Sequence, residues 1–442
     1  MSLSALHTAA DGAADSEKAL VRKVAWRLMP LIMVCYLFAF FDRINISFAK
    51  FQLQTDLGFS DTAYGLGASL FVVGYVLFEV PSNLMLEKIG VRKTLLRIMV
   101  CWGVVAMAMM FVQTPTQFYV LRFLLGAFEA GFTPGALLYL TFWYPPARRA
   151  GMIAVFLLGA IFASLIAGPL SGAIMKFLDG FNGWHGWQWL FLVQGLPAPL
   201  LGLVAWRVLV DRPEQATWLS ADEKARLRAQ LDAEQQSALK ASHASLRDLL
   251  GDARFWALSL VYVLMVAGTY AMAFWTPTLI RGWGVSDLME IGIYATLPQL
   301  CAVAGVLLLS RSSDRLRERR WHFSSGALVA ACGLAIIVLA QGQLGVSLLG
   351  LCLAMLGIAS VPPVFFALVS EYLPRPSVAV GIALVSSIGN LGGAVIPSLT
   401  SALNTASGGT TYSLFLVMGL YLLASAIVLR VARPAVPTYQ SA

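Results

Sequence analysis

The chain has 442 residues, of which 58% are hydrophobic and 12% charged, with a formal net charge of +8. A soluble chain of that size has too little interior to hide so much apolar surface, which excludes a soluble globular protein, a disordered chain and a coiled coil. The positive excess would suit a nucleic-acid binder, so its placement along the chain has to be read before its meaning.

Residues 1–27 are polar, and no small-residue cleavage site follows the first apolar run. They read as a cytoplasmic tail leading into a retained helix rather than a cleaved signal peptide. A helix needs about 20 mainly apolar residues to cross the hydrocarbon core. That length picks out twelve spans: 28–50, 62–85, 94–113, 116–141, 151–175, 187–210, 254–279, 288–309, 322–341, 345–369, 378–400 and 412–430. The polar stretch 211–253 divides them into a six-helix bundle at 28–210 and another at 254–430, followed by a tail at 431–442. That stretch reads as a cytoplasmic linker carrying one or two surface helices. Of the 31 Lys and Arg, 26 fall in segments on the side of the two termini. Only Lys50, Lys176 and Arg281 fall in loops on the other side, and Arg43 and Arg122 lie inside spans. This bias puts both termini in the cytoplasm and assigns the positive charge to the membrane's inner surface, with no nucleic acid required.

The two halves repeat. Asn83-x3-Glu87-Lys88-x3-Arg92-Lys93, between helices 2 and 3, recurs 227 residues later as Ser310-x3-Asp314-Arg315-x3-Arg319-Arg320. AGMIAVFLLGA (150–160) recurs as VGIALVSSIGN (380–390), displaced by 230. Parallel repeats around a central cavity are a transporter architecture. The five cysteines all lie in apolar runs without a CxxC pair, and the four histidines lie outside those runs or at their margins. Neither a metal site nor a disulfide framework is expected, and no cofactor. Nor is there a nucleophile–base pair or phosphate loop, so an enzyme is not expected.

Charge inside the hydrocarbon marks function, because each such group costs about 2.5–3.5 kcal/mol on insertion scales and has to face a cavity or a partner. Asp42, Arg43, Glu79, Arg122 and Glu129 fall there. Asp42 and Arg43 are adjacent and point about 100° apart; one can face a cavity and the other a neighbouring helix, unless both only mark a helix end. Arg122 and Glu129 lie seven residues apart on one face of helix 4. A carboxyl held between apolar neighbours and a guanidinium can change protonation when one neighbour moves; a static ion pair is the alternative. Tyr75 offers a phenol toward the centre or packs. Asn390 and Ser386 share one face of helix 11 and serve either a ligand or helix packing.

The loop after helix 2, VPSNLMLEKIGVRK, resembles the signature loop of the major facilitator superfamily. With FDRINISFA (41–49), RFLLGAFEAGFTPG (122–135), GWQWLFLVQGLPA (186–198) and SSIGNLGG (386–393), it is similar to the anion:cation symporter family. The resemblance implies an all-α membrane protein of the major facilitator fold, twelve helices in two bundles around a central cavity. It further implies a monomer in the inner membrane that imports an organic anion with protons. Asp42 and Glu129 would take up protons, with Arg122 reporting the state of Glu129. Arg43 would bind the substrate carboxylate, helped by Tyr75, Asn390, Ser386 and Trp275. Glu87, Arg92, Asp314, Arg315 and Arg319 would form a cytoplasmic gate holding the bundles together in the outward-facing state. Two departures stand out. Gln194 occupies a position where the family pattern has Glu, and Gly159-x8-Gly168-Pro169-x2-Gly172 partly matches drug:proton antiporters, leaving an exporter or a transporter-like sensor as alternatives. The phrases GWQWLFL (186–192), WTPTLI (275–280), LPQLCAVAG (297–305) and SRSSDRLRER (310–319) look closer to 4-hydroxyphenylacetate permeases than to sugar-acid carriers. Tyr270, Phe274, Trp275, Phe365 and Phe366 could stack on an aromatic acid, while Gln299, Ser360, Ser386, Ser387 and Asn390 would suit a sugar acid or hydroxy-dicarboxylate.

Overall fold

A computed structural model describes residues 3–240, 249–373 and 378–431. Among these, twelve helices are long and apolar enough to cross a membrane. We number them α1 (Glu17–Leu57), α2 (Asp61–Leu86), α3 (Val91–Phe111), α4 (Pro115–Trp143), α5 (Gly151–Phe177), α6 (Gly186–Val208), α7 (Ala253–Gly282), α8 (Leu288–Leu316), α9 (Arg320–Leu339), α10 (Leu344–Tyr372), α11 (Val380–Ser407) and α12 (Thr411–Val431). Each expected span has its helix, in order. A further polar helix, Ala221–Lys240, lies in the linker. Twelve consecutive crossings return the chain to the face it started from, called here the terminal face.

α1 departs most from expectation. Its helix runs from Leu3 to Ile44 and resumes at Ile46–Leu57. It therefore extends into the expected tail at one end and past Lys50 at the other. On the terminal side Leu20 and Val24 are buried, and Lys23 Nζ bonds both carboxylate oxygens of Glu223 on the linker helix at 2.8 and 2.9 Å. On the far side Lys50, expected in a loop, is only 2% exposed.

The six helices of each half pack together, and the halves meet mainly where α2 lies on α11 and α5 on α8. Among the described residues, the polar contacts joining the halves gather on the face opposite the termini. Ser398 Oγ bonds Ser69 Oγ at 2.8 Å, the Tyr64 hydroxyl donates to the Phe274 carbonyl at 3.1 Å, and Lys176 pairs with Asp287. Glycine permits the α5–α8 approach: a methyl at Gly292 would lie 2.2 Å from the Gly168 carbonyl oxygen. These contacts close this face, and the polar contacts described between the halves do not extend to the terminal face.

Gly292→Ala is accordingly expected to pry the closed face open. A cysteine placed at Ser398, in a chain stripped of its own five, should become reactive to a membrane-impermeant maleimide added from that face. Unchanged reactivity would mean that the close approach does not hold the closed form.

Candidate functional site

A junction in α1 and a break in α4 set the site. At Asn45 the two segments of α1 join, with the Asn45 amide donating to Asp42 Oδ1 at 3.4 Å. In α4 the helix stops at Glu129 and restarts at Phe132. Gly131 adopts φ 88°, a region closed to most side chains, and Pro134 lacks the N–H that would close onto the Ala130 carbonyl. Glu129 thus ends a helix segment inside the bundle, where its carboxylate is fully buried.

Asp42 and Arg43 diverge as adjacent helical residues must. Asp42 turns into the first bundle, 1% exposed, and its Oδ2 accepts the Trp102 indole N–H at 2.8 Å. Arg43 turns to the centre, where its Nε donates to Glu129 Oε1 at 2.5 Å. Its guanidinium carbon stands 4.9 Å from the Tyr75 ring centre and 5.4 Å from that of Phe40, a cation over two aromatic faces. Burying an ion pair costs desolvation that the pair only partly returns, and here Arg43 Nη2 and Glu129 Oε2 have no protein partner. The pair is therefore only partly satisfied by the protein around it.

Trp102→Phe should lower the unfolding midpoint of the detergent-purified protein, consistent with a loss of about 1–3 kcal/mol, because a buried carboxyl oxygen loses its donor. An unaltered midpoint would show that Asp42 does not depend on this bond.

Arg122 does not pair with Glu129, contrary to the reading from their spacing. The helix break after Glu129 and the approach of Arg43 from α1 give the carboxylate to Arg43. Arg122, fully buried, instead sends Nε to the Gly67 carbonyl of α2 at 3.3 Å and lies 4.7 Å from the Phe71 ring centre. Both of its terminal nitrogens lack protein partners. Gln194, in the position where the family pattern has Glu, donates to Ser171 Oγ at 3.0 Å and ties α6 to α5.

A cavity of about 300 Å³ lies between the bundles, with Arg43 in its wall. Phe40, Phe48, Tyr270 and Phe274 supply rings; Ser47, Ser164, Thr269, Thr276 and Gln299 supply hydroxyl and amide groups. Of the residues expected at the substrate, Arg43 lines this cavity, while Tyr75 lies outside its lining with its ring centre 4.9 Å from the Arg43 guanidinium carbon. Asn390 and Ser386 are half-buried on α11 outside its lining. Trp275 faces the closed side instead: its indole N–H donates to Thr400 Oγ1 at 2.8 Å, and Lys50 Nζ sits 3.8 Å from its ring centre. Phe365 and Phe366 pack on Tyr262 within the second bundle, and Ser360 bonds the Gly357 carbonyl of its own helix. Ser47, Ser164, Thr269 and Thr276 carried no sequence signal; each hydroxyl donates to a carbonyl of its own helix and so offers the cavity an acceptor oxygen.

Of the repeated loop charges on the terminal face, Arg92, Asp314 and Arg319 are held within their own bundles. The Arg92 guanidinium donates to the Trp206 carbonyl at 2.6 and 2.9 Å, while its backbone N–H donates to Asp211 at 2.8 Å. Arg319 bonds Asp314 at 2.6 Å and Glu371 at 3.1 Å; Arg315 is exposed. The Glu87 side chain lies outside the described residues. No ion pair found among the described residues joins the two halves of the expected gate on this face.

Twelve helices in two internally repeated bundles, closed at one face around a central cavity holding a buried ion pair, define a secondary-transporter fold rather than an enzyme. The Major Facilitator Superfamily model matches residues 32–359 and 286–442, and the chain belongs to that superfamily. A relative from Agrobacterium vitis named for tartrate transport is 44% identical over 421 residues, covering 95% of this chain and 96% of its own. One from Acinetobacter baumannii named a quinolone resistance transporter is 39% identical over 416 residues, covering 92% and 95%. Among solved structures, a bacterial homologue of the lysosomal transporter Spinster, in an inward-facing and unoccupied conformation, superposes with a TM-score of 0.75 at 18% identity. That match covers 92% of this chain and 98% of the other.

Proposed function

We propose that this major facilitator is a proton-coupled symporter of the inner membrane that imports a small organic carboxylate by alternating access, with both termini cytoplasmic. The observation that carries the reading is the Arg43–Glu129 pair in the wall of the central cavity. Arg43 is charged at every accessible pH and is shaped to grip a carboxylate. Glu129 and a substrate carboxylate compete for that one guanidinium. Protonating Glu129 releases Arg43 to the substrate, and losing both proton and substrate lets the pair re-form. A carrier that crosses only as the closed ion pair or as the doubly loaded form does not leak protons. Asp42, held by Trp102, is the second proton acceptor. Arg122 keeps a positive field near both acids without bonding either.

The ring wall favours an aromatic monocarboxylate such as 4-hydroxyphenylacetate, with stacking worth about 0.5–1.5 kcal/mol beyond area burial. The five hydroxyl and amide groups of the same cavity and the relative named for tartrate transport favour a hydroxy-dicarboxylate as the second reading. The relative named for quinolone resistance and the α5 glycines support a proton-driven exporter as the rival, although Gly168 and Gly172 already have a packing use against α8.

Right-side-out vesicles under an inward pH gradient test this with labelled 4-hydroxyphenylacetate and labelled tartrate. The expected result is accumulation of one acid that a protonophore collapses and that the amide of the same acid does not inhibit. Equal inhibition by acid and amide would overturn the anion site. Gradient-driven quinolone extrusion without acid uptake would establish the exporter, and binding without flux the sensor.

A further inference from the structure

Lys50 is a buried cation that the mechanism above does not use. Its side chain is 2% exposed, and Nζ bonds Asp61 Oδ1, at the start of α2, at 2.8 Å. From the same bundle the Tyr64 ring centre of α2 lies 5.1 Å away, and from the opposite bundle come the Thr278 hydroxyl at 3.4 Å and the Trp275 ring centre at 3.8 Å, both on α7. Asn45 keeps helical dihedrals (φ −53°, ψ −33°), and Ala49 N–H reaches the Asn45 carbonyl at 3.0 Å, so helical register carries through the junction in α1. Arg43 and Lys50 are seven residues apart, which places them on the same side of α1 about 10 Å apart along its axis. Ser47, one turn from Arg43 and nearly one from Lys50, lines the central cavity.

When the closed face opens, Trp275 and Thr278 leave with the second bundle, while Lys50 and Asp61 stay with the first. The ammonium then keeps Asp61 and the Tyr64 ring of its own bundle and turns the side left by Trp275 and Thr278 to the new vestibule, above Ser47 and Arg43. We propose that Lys50 is the capture site for the substrate carboxylate on the face opposite the termini, from which the anion descends past Ser47 to Arg43. The inference rests on the organic-anion transport reading. In the closed form the Trp275 ring and the Thr278 hydroxyl occupy the place the carboxylate leaves, so the site exists on one side of the membrane only.

The test compares initial rates of labelled tartrate and labelled 4-hydroxyphenylacetate, whichever the wild type carries, in right-side-out and inside-out vesicles. Lys50→Met should raise the KM for entry from the far face about tenfold, the loss of one charge-assisted bond, and leave the KM for entry from the terminal face unchanged. Lys50→Arg should restore it. Asp61→Asn, which frees Lys50 from its competing acid, should lower the far-face KM; it carries the test in the opposite direction should Lys50→Met fail to insert. A mere latch gives a different pattern, because weakening it populates the form open at the far face, lowering the KM there and raising it at the terminal face. An unchanged or lowered far-face KM in Lys50→Met, or a far-face KM not lowered in Asp61→Asn, would overturn the proposal. Absence of wild-type flux of either acid would overturn the transport reading and this proposal with it.

Discussion

Glu129→Gln should abolish accumulation driven by a pH gradient while leaving exchange between equal pools of substrate in place. Gln has the shape of the protonated acid and still offers an oxygen to Arg43 Nε, but it carries no charge and takes up no proton. Arg43 is then permanently available to the substrate carboxylate, so loading persists and coupling disappears. Counterflow and gradient-driven uptake, measured on the same vesicles, separate the two. Accumulation at the wild-type rate in this variant would remove Glu129 from the coupling step. Asp42→Asn should weaken coupling in the same sense, since Asn keeps an acceptor for the Trp102 indole and loses the titrating oxygen.

Arg43→Lys should cost binding rather than folding. The guanidinium meets Glu129 through Nε and lies over Tyr75 and Phe40, presenting Nη2 as a further donor without a protein partner. Lys keeps the charge but loses the planar fork that matches a carboxylate with two parallel bonds. Losing one charge-assisted hydrogen bond of about 1.5–3 kcal/mol weakens substrate affinity about 10–150-fold. Binding to the purified protein and its unfolding midpoint should therefore separate: affinity falls by that factor while the midpoint stays near wild type. Unchanged affinity would place the anion elsewhere.

The twelve spans were legible because each helix carries its own apolar length, a local property. The helix ends were less so. Lys50, Gln52, Gln54 and Asp56 look like a loop in sequence, yet α1 continues to Leu57. Its polar groups find partners on distant segments: Asp61 for Lys50, Asp179 and the Trp187 N–H for Gln52. The buried acids and cations were also legible, since charge in an apolar run is conspicuous. Their pairing was not. Spacing suggested Arg122 with Glu129, but the left-handed Gly131 and the neighbouring α1 decide the partner, and helix-to-helix proximity is not written in either segment. Trp275 misled for a related reason. It sits between the cavity-lining Phe274 and Thr276, but the 100° turn per residue carries its ring onto Lys50 and Thr400.

The central claim is that Glu129 and the substrate share one guanidinium, so that binding an anion and taking up a proton are one event. Proton uptake on substrate binding by the purified protein in weakly buffered solution tests it most directly. The wild type should take up protons as the carboxylate binds, and Glu129→Gln should bind the same acid with less uptake. Binding without proton uptake in the wild type, or equal uptake in the variant, would contradict the account.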